Sequence, residues 1–568
     1  MPPSLSFLSN HRAMANAVSR RNALRIAVAL LPHFVALGIM AVTEYGLERR
    51  LAFLLAWTLL NCFWLALLRR PAVSGGISLA IVAVLVLLSE LKFRVLLMTV
   101  NFLDLMVIDQ DTIAFLFTIF PGLNWIVFAA LGAGIPVFLV LWRFDSFRTP
   151  RMLSAAGAVA SIAGLIGVSH AVPMEPYEAF YGNNHVSGFA RSGIDAITDL
   201  ITNGFMESDA VAADRLKSAD LTCQPAHKLP HILLVHDESS FDIRRAPGVK
   251  VPPGYGAHFR SFDDKQRNFI VEGAGGPSWY TEYNVLAGLS ARSFGRFAYF
   301  VTRIAAGRVE RGLPHALRRC GYQTFSLYPA FGAFMSAGSF QKTVGFQNFY
   351  DATALGTSDV EPDQFYYDAA ARMIERQRSK GPMFVYVYLA ANHFPWDFRW
   401  RPDLAPQWKD PGNNPEVDEY LRRQTLGMQD YADFLARLKR GFPGEAFLLV
   451  RYGDHQPHFA PGILEPGLDD AAVARRLLAH DPRYHTTYYA IDAVNFEPVK
   501  TDSALETIEG PYLPLIVQES AGLPLDPSFS EQKKILERCH GLFYACSAGA
   551  EARRFNRLLI DAGLIKGL

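Results

Sequence analysis

Apolar residues are not spread evenly along this chain. Before about residue 175 they gather into long runs, and beyond it they fall into short runs broken by charge. A helix needs roughly 20 mainly apolar residues to cross a bilayer. Five runs approach that length: Ile26 to Thr43, Leu51 to Leu68, Val73 to Leu88, Trp125 to Trp142 and Met152 to Val172, the third being the shortest. A cleavable signal peptide accounts for one such run and leaves the others unexplained. A buried soluble bundle is the plain alternative, but the runs match a bilayer in length and arginines punctuate them. The pattern therefore predicts a five-helix transmembrane domain over residues 1–172.

The arginines also orient that domain. Arg12, Arg20 and Arg21 precede the first run, Arg69 and Arg70 separate the second from the third, and Arg143, Arg148 and Arg151 separate the fourth from the fifth. In the remaining loops Arg49, Arg50, Lys92 and Arg94 are diluted by Glu44, Glu48, Asp104, Asp109 and Asp111. The positive-inside rule puts the N-terminus in the cytoplasm, and five crossings put everything after Val172 outside. Loss of the third run would reverse the large domain. The segment near 92–120 is apolar yet acid-bearing, and reads as an interfacial or re-entrant piece. Its plain reading is an amphipathic connector; its functional reading is a surface that meets lipid head groups.

Residues 173–228 are mixed, with Pro173, Pro176, Gly182, Asn183 and Asn184 ahead of a helix-like stretch toward Leu216. They are expected to form juxtamembrane linker helices. Over 229–568, β-rich runs alternate with helical ones. The runs His231 to Val235, Thr324 to Tyr328, Met383 to Leu389 and Ala446 to Tyr452 predict strands; Tyr283 to Leu289, Pro362 to Arg378 and Pro415 to Arg440 predict helices. Such alternation predicts an α/β domain whose sheet is covered on both faces. In such sheets ligands gather beyond the carboxyl ends of the strands.

Composition agrees with two solvents: of 568 residues, 50% are hydrophobic and only 19% charged. A net charge of +1 supplies no general basic field, which argues against nucleic acid as a partner. Few charges within the apolar runs give little support to a transporter. Among the five cysteines, Cys62 lies in an apolar run and reads as a small hydrophobe. Cys539 and Cys546 are close enough to close a small loop in an oxidising space, and a Cys223–Cys320 pair stays open. No CxxC pair is present, so a thiolate zinc site has little support.

Four polar clusters follow the strands and turns. His236-Asp237-Glu238-Ser239-Ser240 comes after the first strand, and an acid there suits a hard metal ion. Its plain reading is a capping turn. Gly273-Ala274-Gly275-Gly276-Pro277-Ser278 leads into a helix, where backbone amides can crowd an anion and a metal-activated Ser278 could attack phosphorus. A glycine-rich turn capped by Ser278 is the plain alternative, and Thr281 is the competing hydroxyl. Asn392-His393-Phe394-Pro395 follows the third strand; His393 there could bind a phosphoryl oxygen or protonate a leaving group, or be a turn residue. Tyr452-Gly453-Asp454-His455-Gln456-Pro457 follows the fourth, and adjacent Asp454 and His455 can both ligate one divalent ion. Together Glu238, Ser278, Asp454 and His455 offer mixed oxygen and nitrogen ligands that suit Zn²⁺ or Mn²⁺.

This order of motifs resembles the sulfatase-like branch of the alkaline phosphatase superfamily, and within it lipoteichoic acid synthase and the phosphoglycerol transferases of periplasmic glucans. The resemblance covers most of the chain. It implies an alkaline phosphatase/sulfatase-type α/β sandwich held outside a bacterial inner membrane by five spans. It implies a hydroxyl nucleophile, Ser278, that takes phosphoglycerol from phosphatidylglycerol and passes it to a glycan acceptor. It further implies Glu238, Asp454 and His455 as ligands of one divalent metal, Mn or Zn, with Asp237 a lesser candidate. His393 would bind substrate, and so would Glu282, which follows Ser278 by four positions. There are departures. Serine stands where threonine is more usual. Phe331 to Phe346 lacks the Trp and Arg that bind glycerol phosphate in lipoteichoic acid synthase, with Met335 and Ala337 in their place. Phosphatidylethanolamine as donor, with phosphoethanolamine as the group moved, is therefore the main alternative, although such transferases usually carry several disulfides. A phosphodiesterase using water is another. A true sulfatase needs C/S-x-P-x-R, and Ser278 is followed by Trp279, Tyr280, Thr281 and Glu282. An inactive scaffold of a polysaccharide-export assembly is the non-enzymatic alternative.

Overall fold

The computed structural model describes residues 5–96, 98–120, 122–174, 178, 182–208, 215–216, 223 and 228–568. It divides into two compact units: Met1–Ile108 with Leu116–Thr202, and Asp109–Phe115 with Asn203–Leu568.

The first unit is helical: α1 (Leu5–Thr43), α2 (Leu47–Leu68), α3 (Pro71–Leu96), α4 (Phe102–Met106), α5 (Gln110–Ile119, shared with the second unit), α6 (Leu123–Phe144), α7 (Arg151–Ala171) and α8 (His185–Asn203). Five of these contain stretches long and apolar enough to cross a membrane: Asn22–Thr43, Leu47–Leu68, Pro71–Arg94, Leu123–Phe144 and Arg151–Ala171. The third stretch, the shortest by apolar run, is 24 residues long here. Proline at its first position is preorganised for a helix start, and the helix runs on past the polar Glu90 and Lys92. α6 buries none of its side chains against protein, so its apolar surface is suited to lipid. The helix expected toward Leu216 ends at Asn203, and residues 209–214 lie outside the described residues. α8 belongs to the first unit. Its N-terminus is tied to the end of α1, where the buried Glu44 carboxylate accepts the Val186 and Ser187 amides and the Ser187 hydroxyl.

The second unit is built on one eight-stranded sheet of order β4-β3-β5-β1-β6-β7-β2-β8. The strands are β1 (His231–Asp237), β2 (Arg267–Ile270), β3 (Gln323–Leu327), β4 (Asn348–Tyr350), β5 (Met383–Tyr388), β6 (Phe447–Gly453), β7 (Thr486–Val494) and β8 (Thr507–Glu509). β1 lies in the middle, parallel to β5 on one side and to β6 on the other. β7 is antiparallel to β6 and to β2. The central runs HILLVHD, MFVYVY and FLLVRYG are apolar on both faces, as a strand covered on both sides requires. One cluster of core side chains packs helices Asp363–Gln377 and Pro415–Gly441 against the sheet through Tyr366, Ile374, Phe434 and Leu438. Disulfides join Cys223 to Cys320 and Cys539 to Cys546, while Cys62 is free. The short acid-bearing run Asp109–Phe115 clusters with this unit. Asp109 and Asp111 accept the hydroxyls of Ser336 and Ser339, each at 2.7 Å.

Candidate active site

Register creates the site. β1 and β6 run parallel with Asp237 opposite Gly453, so Glu238 and Asp454 leave the sheet side by side. Gly453 is required there, because a Cβ would lie 1.7 Å from the Ser240 carbonyl oxygen. The glycine-rich loop closes over the same edge. The Gly275 amide donates to the Gln456 carbonyl, and Gly275 sits at φ +71° with its α-carbon face against His458. That loop delivers Ser278 as the first residue of α9 (Ser278–Ala287).

Four side chains converge. Ser278 Oγ is 3.2 Å from Glu238 Oε2 and 3.2 Å from His455 Nε2. His455 Nε2 is 3.5 Å from Glu238 Oε1 and 3.4 Å from Asp454 Oδ2. All four residues are at most 7% exposed. Each is held from behind. The His455 ring donates from Nδ1 to the Gln456 carbonyl at 2.8 Å, which leaves Nε2 as a lone pair facing the other groups. Asp454 Oδ1 accepts the Ser239 and His455 amides, both at 2.7 Å. Ser239 Oγ donates to Glu238 Oε1 at 2.8 Å. Burial and the nearby Asp454 carboxylate push the Glu238 carboxyl up. Burial would also raise Asp454, but His455, His236 and Ser278 outweigh it and hold that carboxyl down at about 2.

His236 joins this group. Its Nε2 and Asp454 Oδ2 are 3.2 Å apart, and both are buried without a hydrogen bond. Ligand atoms of His236, Glu238 and Asp454 all lie within 4.8 Å of one another. The Glu238 and Asp454 carboxylates, with the unsatisfied Asp454 Oδ2, and the His455 Nε2 lone pair form a donor set that fits one divalent cation. Behind it, His236 Nδ1 is 2.9 Å from the hydroxyls of both Tyr386 and Tyr452, and its ring stacks on Tyr388 at 3.7 Å. The two hydroxyls also lie 3.1 Å apart, so one phenol donates to the other and the second donates to Nδ1, which puts the ring proton on Nε2, facing Asp454.

The other candidates from the sequence fall into different places. Thr281 Oγ1 donates to the Asp454 carbonyl at 2.6 Å, which fastens α9 to the end of β6 and leaves Ser278 as the hydroxyl beside Glu238 and His455. Asp237 points to the opposite face of the sheet, where Tyr488 donates to it at 2.5 Å and His258 lies 3.6 Å away. Glu282 is 1% exposed one turn behind Ser278 and accepts from Gln341 at 2.8 Å; burial pushes its carboxyl up to about 8. His393 is half-buried, stacks on Phe394 at 4.4 Å, and favours the charged form of Glu238. Met335 and Ala337 are buried, and neighbouring Phe334 packs on Trp279, the residue after Ser278. His236 is the residue that sequence reasoning passed over. Strand alternation was its signal, since it shares a face with Glu238 and not with Asp237.

Residues 274–512 match the family model described as Sulfatase. No curated protein matches the chain. Among solved structures, the phosphoglycerol transferase GacH of Streptococcus pyogenes, in complex with sn-glycerol-1-phosphate, is 16% identical, with 61% of this chain and 88% of that one covered at a TM-score of 0.47. The lipoteichoic acid synthase LtaP of Listeria monocytogenes is 17% identical, covering 52% and 73%, TM-score 0.39. The lipooligosaccharide phosphoethanolamine transferase A of Neisseria meningitidis is 11% identical, covering 84% and 96%, TM-score 0.42. The chain thus carries a sulfatase-family domain over residues 274–512.

Proposed function

We propose that this protein is a membrane-bound, metal-dependent phosphotransferase that moves a phospholipid head group onto a cell-envelope glycan. The observation that carries the reading is Ser278 Oγ lying 3.2 Å from both Glu238 and His455 inside a buried donor set. Phosphoglycerol from phosphatidylglycerol is the favoured group, by the resemblance of the motifs; phosphoethanolamine is the alternative. Five apolar helices and two disulfides in the second unit support a multi-pass inner-membrane protein with its N-terminus in the cytoplasm and residues 229–568 in an oxidising periplasm.

Glu238, Asp454, His455 and Ser278 would hold one Mn or Zn ion, which supplies positive charge that lowers the hydroxyl pKa and neutralises phosphoryl oxygens. Ser278 Oγ attacks the phosphorus of the donor as its alkoxide, the form in which it later leaves, and the bond from phosphorus to the diacylglycerol oxygen breaks. His393 gives that oxygen its proton. An acceptor hydroxyl then attacks the phosphoryl-serine, its proton passing to His393, and Ser278 is released. Overall the head group moves to the acceptor, and the acceptor's hydroxyl proton ends on diacylglycerol. Asp237 and Thr281 serve as supports, and Glu282 lies behind the nucleophile as a substrate-side acid.

Purified enzyme given phospholipid labelled in its head group tests this. Ser278→Ala is expected to abolish label release, and undiminished release would refute the assignment. Mass spectrometry of envelope glycans with and without the gene reads the transferred group directly. No bound metal together with no phospholipid turnover would favour the scaffold reading.

A further inference from the structure

Three exposed apolar side chains of the second unit, Val360, Phe394 and Phe398, line a single cavity of about 460 Å³. They are 42%, 37% and 50% exposed, and Trp400 lies beside them. The volume falls within the roughly 300–1,000 Å³ of small-molecule sites. His393 forms part of the wall, so the cavity begins beside the phosphoryl chemistry.

The backbone that displays these rings is fixed from below by buried charge. Arg423 donates from Nη1 to the His393 carbonyl and from Nη2 to the Pro395 carbonyl, each at 2.8 Å. Arg422 donates to the Trp400 carbonyl, and Glu419 accepts the Trp400 amide at 3.0 Å. Glu419 also pairs with both arginines, and all three residues are at most 3% exposed. Buried ions are costly, and these are spent on holding a loop whose aromatic side chains face solvent. Rigid elements that present exposed rings are built for recognition.

The lining chooses among ligands. Asp359 and Glu361 face the cavity, and its two arginines, Arg401 and Arg423, are already paired with Asp403 and Glu419, so a phosphate is disfavoured. An ammonium group would meet Arg423, whose guanidinium already lies 5.3 Å from the Phe398 ring and 5.6 Å from the Trp400 ring. A neutral sugar meets neither objection. Its C–H faces lie against the rings, and its hydroxyls donate to the two carboxylates.

We infer that this cavity is the acceptor subsite and that it binds a neutral oligosaccharide, an inference that rests on the transferase reading above. The test uses full-length, metal-loaded Ser278→Ala protein in a detergent with no sugar head group, so that binding is read apart from turnover. Calorimetric titration with neutral gluco-, galacto- and mannotetraose, inorganic phosphate and ethanolamine separates the ligand classes. At least one tetraose is expected to bind, with Phe398→Ala weakening it roughly tenfold and Phe398→Tyr restoring it. Failure of every tetraose to bind, or sugar binding indifferent to Phe398→Ala, would overturn the inference. So would phosphate or ethanolamine binding that alone responds to Phe398→Ala. Head-group release that survives in Ser278→Ala would sink the transferase reading instead, and leaves the sugar titration to be judged by itself.

Discussion

His236 Nε2 stands 3.2 Å from Asp454 Oδ2 in a fully buried position, and neither atom makes a hydrogen bond. A native core does not leave two polar atoms facing each other without a use, because each costs about 1–3 kcal/mol when unsatisfied. A cation drawn to Asp454 Oδ2 removes one of those costs, and His236 then turns its Nε2 proton onto the carboxylate. On the proposed metal-dependent reading, His236 is thereby a positioning residue for Asp454.

His236→Ala is accordingly expected to weaken divalent-metal affinity by roughly 10–100-fold, the usual effect of losing a group that orients a ligand. Competition against a chromophoric chelator measures it. X-ray absorption of the Zn-loaded protein should count a single imidazole in wild type. A second imidazole would make His236 a ligand, and unchanged affinity would leave it a core residue.

Glu419 closes Arg422 and Arg423 beneath the loop that carries His393 and Trp400. Glu419→Ala strands two buried guanidinium groups, and stability should fall by about 3–5 kcal/mol. Denaturant unfolding of the detergent-solubilised protein checks this; a loss under about 1 kcal/mol would mean water reaches the site.

Glu282 gives a pH signature. Burial raises its carboxyl to about 8 from the usual 4.5, so the folded protein holds a proton that the unfolded chain releases. Its contribution is complete below about pH 4.5 and drains away as pH rises toward 8, because the unfolded state binds fewer protons over that window. Glu282→Gln has no such proton. The melting temperature of wild type minus that of the variant should therefore fall from acid to alkaline pH. A flat difference would show that Glu282 ionises freely in the folded state.

Much of the fold could be read from the chain. The runs that became β1, β5 and β6 are mainly apolar on both faces, which suits strands covered on both sides. β7 was passed over, because Thr486, Thr487 and Asp492 interrupt its apolar pattern and its pairing is antiparallel at the side of the sheet. β2, β4 and β8 have three or four residues each, too few for periodicity to show. The candidate ligands Glu238, Asp454 and His455 were legible because they directly follow strands. α9 begins at Ser278, five residues before the expected Tyr283, because the glycine-rich loop ends there. The helix charges Glu419, Arg422 and Arg423 beneath the His393 loop were not legible. Their spacing reads as an ordinary solvated helix face, and only tertiary burial reveals their partners.

The register of β1 against β6 has a temporal side. Ser239 and Asp454, joined by a 2.7 Å hydrogen bond, are 215 residues apart in sequence. Contacts that distant form late, after the loop between them has been closed. A partly folded chain therefore holds a serine and scattered acids with no chemistry to offer. The buried donor set is therefore completed only when the central strands have paired, and a partly folded molecule lacks the assembled site.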